Sequence, residues 1–511
     1  MDDICNRVIP GPGLDAESCF RAYETRDERF DGRFFVAVRS TKIFCRPVCP
    51  ARTPKRANVE FHPSAAAAFA AGFRPCLRCR PERAPRARFG DSPGAALVTR
   101  ALAVIETGAL NEGSLDLLSE RIGVTSRHLR RLFEIHLGAS PLAVAHTRRV
   151  MFARQLVEET ALPLTQVAFA AGFASVRRFN DAFARAYRCA PGRMRRPPTG
   201  SDAAAARSAA WSAARSAALW VRLGPMGADE FARLTSFYRT RAWAGVESVQ
   251  AGRYVRSVRI GRHCGTFAVR HDARMLLLGG VIGDPSCLPQ IVARAKRMFD
   301  LEAPLAALSE HLARDPLLRP ALRDGAAPRV PGAWDAYELG LRAILGQQVS
   351  VAAATTLAGR LAQRFGEPLP ASVAGDGIDR LFPAPAVLAA VAVADLRALG
   401  IVGARAATII GFARHVEQIP DWGGRYAGLD PFVASLCELP GIGAWTAHYV
   451  AMRGFADPDA FPAADLGLLR SARALGIAET ARALERHAER WRPWRAYAAQ
   501  ALWNHQAKDA A

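Results

Sequence analysis

Four cysteines fall in two close pairs, Cys45 and Cys49 in IFCRPVCPAR and Cys76 and Cys79 in FRPCLRCRP. Three residues separate the first pair and two the second, the layout of a tetrahedral four-cysteine site for one Zn2+ carried on two loops. Such a site either clips a small domain together or holds a reactive thiolate. Much further on, LPGIGAWTAHYV at 439–450 places Gly441 and Gly443 around an apolar residue directly before a helix. Glycines there let backbone N–H groups approach an anion, and the helix dipole adds to the attraction, so a DNA phosphate fits. The same turn also serves as a plain helix connection. FPAADLGLLR at 461–470 follows with a single acidic residue, Asp465, in an apolar stretch, where an aspartate can also act as a helix N-cap.

The elements that must position these residues belong to several domains, because 511 residues far exceed the ~250 to 300 at which one core stops growing. Net charge is +21 with pI about 10.4, which points to a polyanionic partner, nucleic acid first. The positive charge is nearly all arginine, since Lys42, Lys55, Lys296 and Lys508 are the only lysines. Ten cysteines are too few for a disulfide scaffold, and MDDICNRVIP lacks the layout of a signal peptide. With no apolar run of about 18 residues, no membrane partner is expected and the cytoplasm, in association with the nucleoid, is the expected location.

The segment from Arg196 to Trp220, rich in Ala, Ser and Arg, reads as a linker, and RPERAPRARFGDSPG from Arg80 to Gly94 as a lesser break. Between them lies an internal repeat. LDLLSERIGVTSRHLRRLF (115–133) and LTQVAFAAGFASVRRFNDAF (164–183) each read as helix, glycine turn and second helix, with Gly123 matching Gly172 and Ser126 matching Ser175. Arg127, Arg130, Arg177 and Arg178 sit on the second helices, where a recognition helix meets a major groove. From Leu219 to about Arg323 apolar and polar residues alternate as in strands before the helical LPQIVARAKRMFDL, and after Pro331 the periodicity is helical almost to the end.

Three resemblances sharpen this reading. The segment from about Ala95 to Arg196, with its GF turn and closing APGRMRR, resembles the AraC-type DNA-binding domain, which implies promoter binding and adds RNA polymerase to the candidate partners. FVAVRSTKIFCRPVCPAR and AAGFRPCLRCRP resemble the N-terminal domain of the Ada adaptive-response regulators. That resemblance implies that Cys45 accepts a methyl group from a methylated DNA phosphate, with Arg39, Arg46 and Arg52 holding the backbone. The Pro-Cys-His-Arg site of a methylguanine methyltransferase has no match here. Residues 219 to 505 resemble the AlkA-type 3-methyladenine glycosylases of the helix-hairpin-helix superfamily, through AYELGLRAILGQQVSVAAATTLAGRL, the glycine hairpin and ERWRPWRAYAAQALW.

The glycosylase resemblance makes Asp465 the catalytic carboxylate, placed to stabilise oxocarbenium charge as the N-glycosidic bond breaks. It makes Trp445, Tyr449, Trp503 and Phe237 the aromatic walls for a flipped cationic base. Leu466 stands where relatives carry another aromatic, and Gln348 where they carry an apolar wedge. Relatives that also cut the backbone use a lysine after the hairpin; that position is Trp445, so a monofunctional enzyme without lyase activity is expected. Cys437 is the last cysteine, which excludes the C-terminal iron–sulfur loop of some relatives.

The expected architecture is multidomain α+β. It comprises a zinc-bound α/β methyl-acceptor domain (1–88), an all-α double helix-turn-helix domain (89–198), a linker (199–218), a small mixed α+β subdomain (219–328) and an all-α helix-hairpin-helix glycosylase domain (329–511). The expected function is a regulator switched by methyl transfer, fused to a glycosylase that releases alkylated purines. The alternative is a regulator whose glycosylase half is catalytically inactive.

Overall fold

The computed structural model describes residues 14–85, 92–195 and 219–509, except 420, 425 and 427. It divides into two compact units, residues 1–224 with 277–293, and residues 225–276 with 294–511. The expected linker at 199–218 lies outside the described residues.

In the first unit a four-stranded sheet runs in the order Val59–His62, Phe35–Val38, Ile43–Cys45, Arg74–Pro75. The first three strands pair antiparallel, and Ile43–Cys45 meets Arg74–Pro75 in parallel with Phe44 opposite Pro75. That last pairing brings the two cysteine loops together. Cys45 ends one strand, Cys76 follows the other, and the Cys76 N–H donates to the Phe44 carbonyl at 2.9 Å. The strand FVAV is buried along its whole length, as its branched and aromatic side chains require.

The repeat forms two helix-turn-helix units, Leu115–Ile122 with Ser126–Leu137 and Leu164–Ala170 with Val176–Tyr187. A long helix, Pro141–Glu159, joins them. Gly123 and Gly172 turn the chain at φ +82° and +85°, which only glycine adopts without cost. Ser175 caps its helix, but the equivalent cap in the first unit is Thr125, whose hydroxyl accepts the His128 N–H at 3.2 Å. Ser126 is instead the first residue of its helix and bonds Asp116. The break read at Arg80–Gly94 is tied down at its start: Pro81–Arg83 is a 3-10 turn, and Arg80 pairs with Glu158 at 2.7 Å and Glu159 at 2.6 Å.

In the second unit, strands Glu247–Gln250, Arg253–Ile260 and His263–Asp272 form an antiparallel meander. Helix Ala228–Arg239 packs beside it and carries Phe237. The rest is helical, around one large core that includes Leu341, Ile344, Ile409, Phe412, Ala447 and Trp491. Helices Leu429–Cys437 and Ala444–Gly454 flank the glycine hairpin. Among the described residues no helix is long and apolar enough to cross a membrane.

Candidate functional site

The four Sγ atoms of Cys45, Cys49, Cys76 and Cys79 lie within 4.8 Å of one another, all buried and none in a disulfide. Tetrahedral zinc with Zn–S bonds of about 2.3 Å needs sulfurs about 3.8 Å apart, so the set fits one ion. Its surroundings are not equivalent. Backbone N–H groups of Arg78 and Arg46 donate to Cys76 Sγ at 3.4 Å and Cys79 Sγ at 3.3 Å. Among the described residues no backbone N–H donates to Cys45 Sγ within such distances, so its electron density is not drawn off in the way that of Cys76 and Cys79 is.

A groove of about 990 Å3, including space open to solvent, lies over Cys45 and Cys76. Arg52, Arg74 and Arg78 line it, together with Tyr187 from the second recognition helix. Arg46, expected to hold DNA, turns the other way. It pairs with Asp31 and donates to the Cys79 carbonyl at 3.3 Å, which locks the metal loop. Arg39 pairs with Glu60 at 3.3 Å. Arg74 and Arg78 were not singled out in the sequence, though each lies within two residues of Cys76. Arg127, Arg130, Arg177 and Arg178 lie exposed on the second helices of the two units.

In the second unit Asp465 takes the helix N-cap position that its sequence context allowed. It caps helix Leu466–Ala474, with Oδ1 accepting the Leu468 N–H at 3.0 Å. It also accepts two indole N–H bonds, from Trp503 at Oδ1 (2.8 Å) and from Trp445 at Oδ2 (2.9 Å). Trp445 stacks on Tyr449 with centroids 5.2 Å apart and planes 11° apart, and Tyr449 meets Trp503 edge-on at 6.5 Å. Phe237 completes the group, and all four rings are half-buried rather than sealed into the core.

Sequence reasoning missed the residue that gathers these rings. Arg453, 3% exposed, places its guanidinium carbon 4.7 Å from the Phe237 centroid, 5.1 Å from Trp503 and 5.2 Å from Tyr449. It donates to the Pro331 carbonyl at 2.8 Å and to Gln500 Oε1 at 2.9 Å. The spacing of Tyr449 and Arg453, four apart on one helix, is the only local signal.

Gly441 takes φ +85°, and a Cβ there would lie 2.1 Å from Thr408 Oγ1. Gly443 caps helix Ala444–Gly454 and is exposed, leaving the first N–H groups of that helix open to an anion. Gln347 donates to the Gly441 carbonyl at 2.9 Å and ties the neighbouring loop to the hairpin. Gln348, at that loop's exposed tip, holds φ +57° and is followed by exposed Val349 and Ser350.

The architecture is thus a thiolate metal centre joined to two helix-turn-helix units, in one chain with a helix-hairpin-helix fold whose carboxylate sits among aromatic rings. Family models match in the same order: the metal binding domain of Ada over residues 18–82, a helix-turn-helix domain over 118–197, the AlkA N-terminal domain over 225–335, and the HhH-GPD superfamily base excision DNA repair protein over 341–495. A Mycobacterium tuberculosis protein named "Probable bifunctional transcriptional activator/DNA repair enzyme AlkA" is 39% identical over 498 residues, covering 96% of each chain. The DNA-3-methyladenine glycosylase 2 of Escherichia coli is 35% identical over 282 residues, 53% of this chain and 92% of that one. The Ada protein of the same organism is 40% identical over 136 residues, 27% of this chain and 36% of that one. The chain belongs to the family of fused Ada–AlkA proteins, in which a transcriptional activator and a DNA repair enzyme share one polypeptide.

Proposed function

We propose that the second unit excises alkylated purines from duplex DNA and stops at the abasic site. The arrangement that supports this most directly is Asp465, with both carboxylate oxygens fixed by indole N–H groups beside half-exposed aromatic walls. A flipped base stacks against these rings, and Asp465 faces the sugar. The C1′–N bond breaks, its electron pair leaves with the base, and Asp465 stabilises the positive charge left on the sugar. Water then adds to C1′ and loses a proton. A purine alkylated on a ring nitrogen departs neutral, so little acid assistance is needed. Trp445 at the lysine position leaves no amine to attack C1′, which supports a monofunctional reaction. The phosphate contacts fall to the hairpin N–H groups after Gly441 and Gly443, with Gln348 at the tip that meets the gap.

We further propose that Cys45 is a single-use methyl acceptor. Zinc, when bound, supplies the charge that keeps the four sulfurs deprotonated at neutral pH. The Cys45 thiolate attacks the methyl carbon of a methylphosphotriester, an S–C bond forms, the C–O bond breaks, and its electron pair stays on the phosphate oxygen. Arg52, Arg74 and Arg78 are placed to receive the DNA strand. Loss of one thiolate charge then favours promoter binding through the two recognition helices. This assigns one zinc per chain, promoter DNA and RNA polymerase as partners of the regulator, and a cytoplasmic, nucleoid-bound location. The deciding experiment is release of free 3-methyladenine from alkylated duplex by the zinc-loaded chain, compared with Asp465→Asn. Equal release by both would remove Asp465 from the mechanism, and no release by a folded wild type would leave only the regulator.

A further inference from the structure

The chain that leaves Cys79 is clamped onto the helix joining the two helix-turn-helix units. Arg80 pairs with Glu158 and Glu159, and Arg83 reaches Glu159 at 3.5 Å. Arg154, at the centre of the clamp and completely buried, donates to Glu82 Oε1 at 2.6 Å and to the carbonyl of the metal ligand Cys76 at 3.4 Å. Its guanidinium carbon lies 5.8 Å from the ring of Tyr187. Burying such a network brings little net stability compared with apolar packing, so its presence points to a need for fixed geometry. Tyr187 and Ala186 are also part of the wall of the Cys45 groove. They end the helix whose other end exposes Arg177 and Arg178. At 1.5 Å per residue the two ends are only about 15 Å apart, less than half a turn of duplex DNA.

We infer that the Cys45 groove and the second helix-turn-helix unit grip one continuous stretch of DNA backbone in fixed register, with Arg154 as the positioning residue that sets the register. This rests on the reading of Cys45 as methyl acceptor. The second recognition helix then takes part in damage capture itself, as well as in promoter binding afterwards.

The test measures methyl transfer to Cys45 in the full zinc-loaded chain, by mass spectrometry, from two probes. One is a dinucleotide methylphosphotriester, too short to reach Arg177. The other is a duplex of about 30 base pairs, roughly three turns, carrying one methylphosphotriester. Glu158→Gln with Glu159→Gln loosens the clamp, and Arg154→Met cuts its centre; cobalt substitution checks that each variant keeps its thiolate site. The clamp variants should match wild type on the dinucleotide and lose about tenfold on the duplex, and Arg177→Ala with Arg178→Ala should lose a similar factor that does not multiply with the clamp loss. Full duplex activity in the clamp variants, or losses that multiply, would overturn the inference. Absence of methyl transfer to wild type from either probe would instead retire the Cys45 assignment on which it stands.

Discussion

Trp503 donates its indole N–H to Asp465 Oδ1 at 2.8 Å. With Trp445 on the other oxygen and the Leu468 N–H behind, the carboxylate cannot turn without breaking a bond to a neighbour. The aromatic walls proposed for a flipped base and the orienting donors of the carboxylate are therefore the same side chains. Under the proposed mechanism, a base that displaces either ring also disturbs Asp465, which would couple correct stacking to catalysis.

Trp503→Phe separates the two roles, since it keeps a ring and removes the donor. A hydrogen bond to a charged group contributes about 1.5 to 3 kcal/mol, so single-turnover base release should fall by about 10- to 100-fold. Binding to duplex containing an abasic site should change little. A variant that releases base at the wild-type rate would mean that Trp503 only packs.

Gly441→Ala should both destabilise the fold and weaken DNA binding. Positive φ costs a non-glycine residue about 1 to 2 kcal/mol, and the new Cβ would lie 2.1 Å from Thr408 Oγ1. Adding Thr408→Ala removes the contact but not the backbone cost, so the pair should recover part of the loss. Urea melts of the single and double variants measure this directly, and a single variant as stable as wild type would contradict it.

These sites were legible in the sequence to unequal degrees, for physical reasons. The cysteine pairs, the glycine hairpin and Asp465 are marked by local spacing, and the helix-turn-helix units by a repeat. Arg453 and Arg154 carry no such mark, because an arginine in an arginine-rich chain reads as surface until its partner is known. The partners are Gln500 and Glu82, 47 and 72 residues away. Arg46 shows the converse: the resemblance placed it on the DNA backbone, while in the fold its guanidinium pairs with Asp31, which no local spacing marks. Arg256 belongs with them, a strand residue that is 1% exposed because Glu247 and Glu338 enclose it at 2.9 and 2.7 Å.

His448 sets an acid limit on the second unit. Its Nδ1 accepts the Phe461 N–H at 3.2 Å, which anchors the loop leading to Asp465. Burial first, and then Arg495, push its pKa below the usual 6.5. The unfolded chain therefore takes up this proton at a higher pH than the native one. Stability is complete above about 6.5 and declines as pH falls from there to the native pKa, by about 1.4 kcal/mol per unit of difference. His448→Asn keeps an acceptor without the titration, so its urea midpoint should fall less between pH 8 and pH 5 than that of wild type. Parallel curves for the two proteins would assign the acid limb to other groups.

Methylation of Cys45 gives the last prediction, because the sign and the salt dependence of its effect distinguish two switches. Four thiolates on Zn2+ carry a net charge of about −2 beside a groove lined by three arginines, and methylation removes about one unit. One charge acting across several ångströms of partly wet protein amounts to about 1 to 2 kcal/mol, so promoter affinity should rise by about tenfold in dilute salt. The Debye length shrinks from about 10 Å at 0.1 M to about 3 Å at 1 M, so an electrostatic gain fades as salt is added. Fluorescence anisotropy of the methylated and unmethylated zinc-loaded chain across that range reads it out. A gain that persists undiminished in high salt would mean that methylation moves the clamped helices instead, and that charge is not the signal.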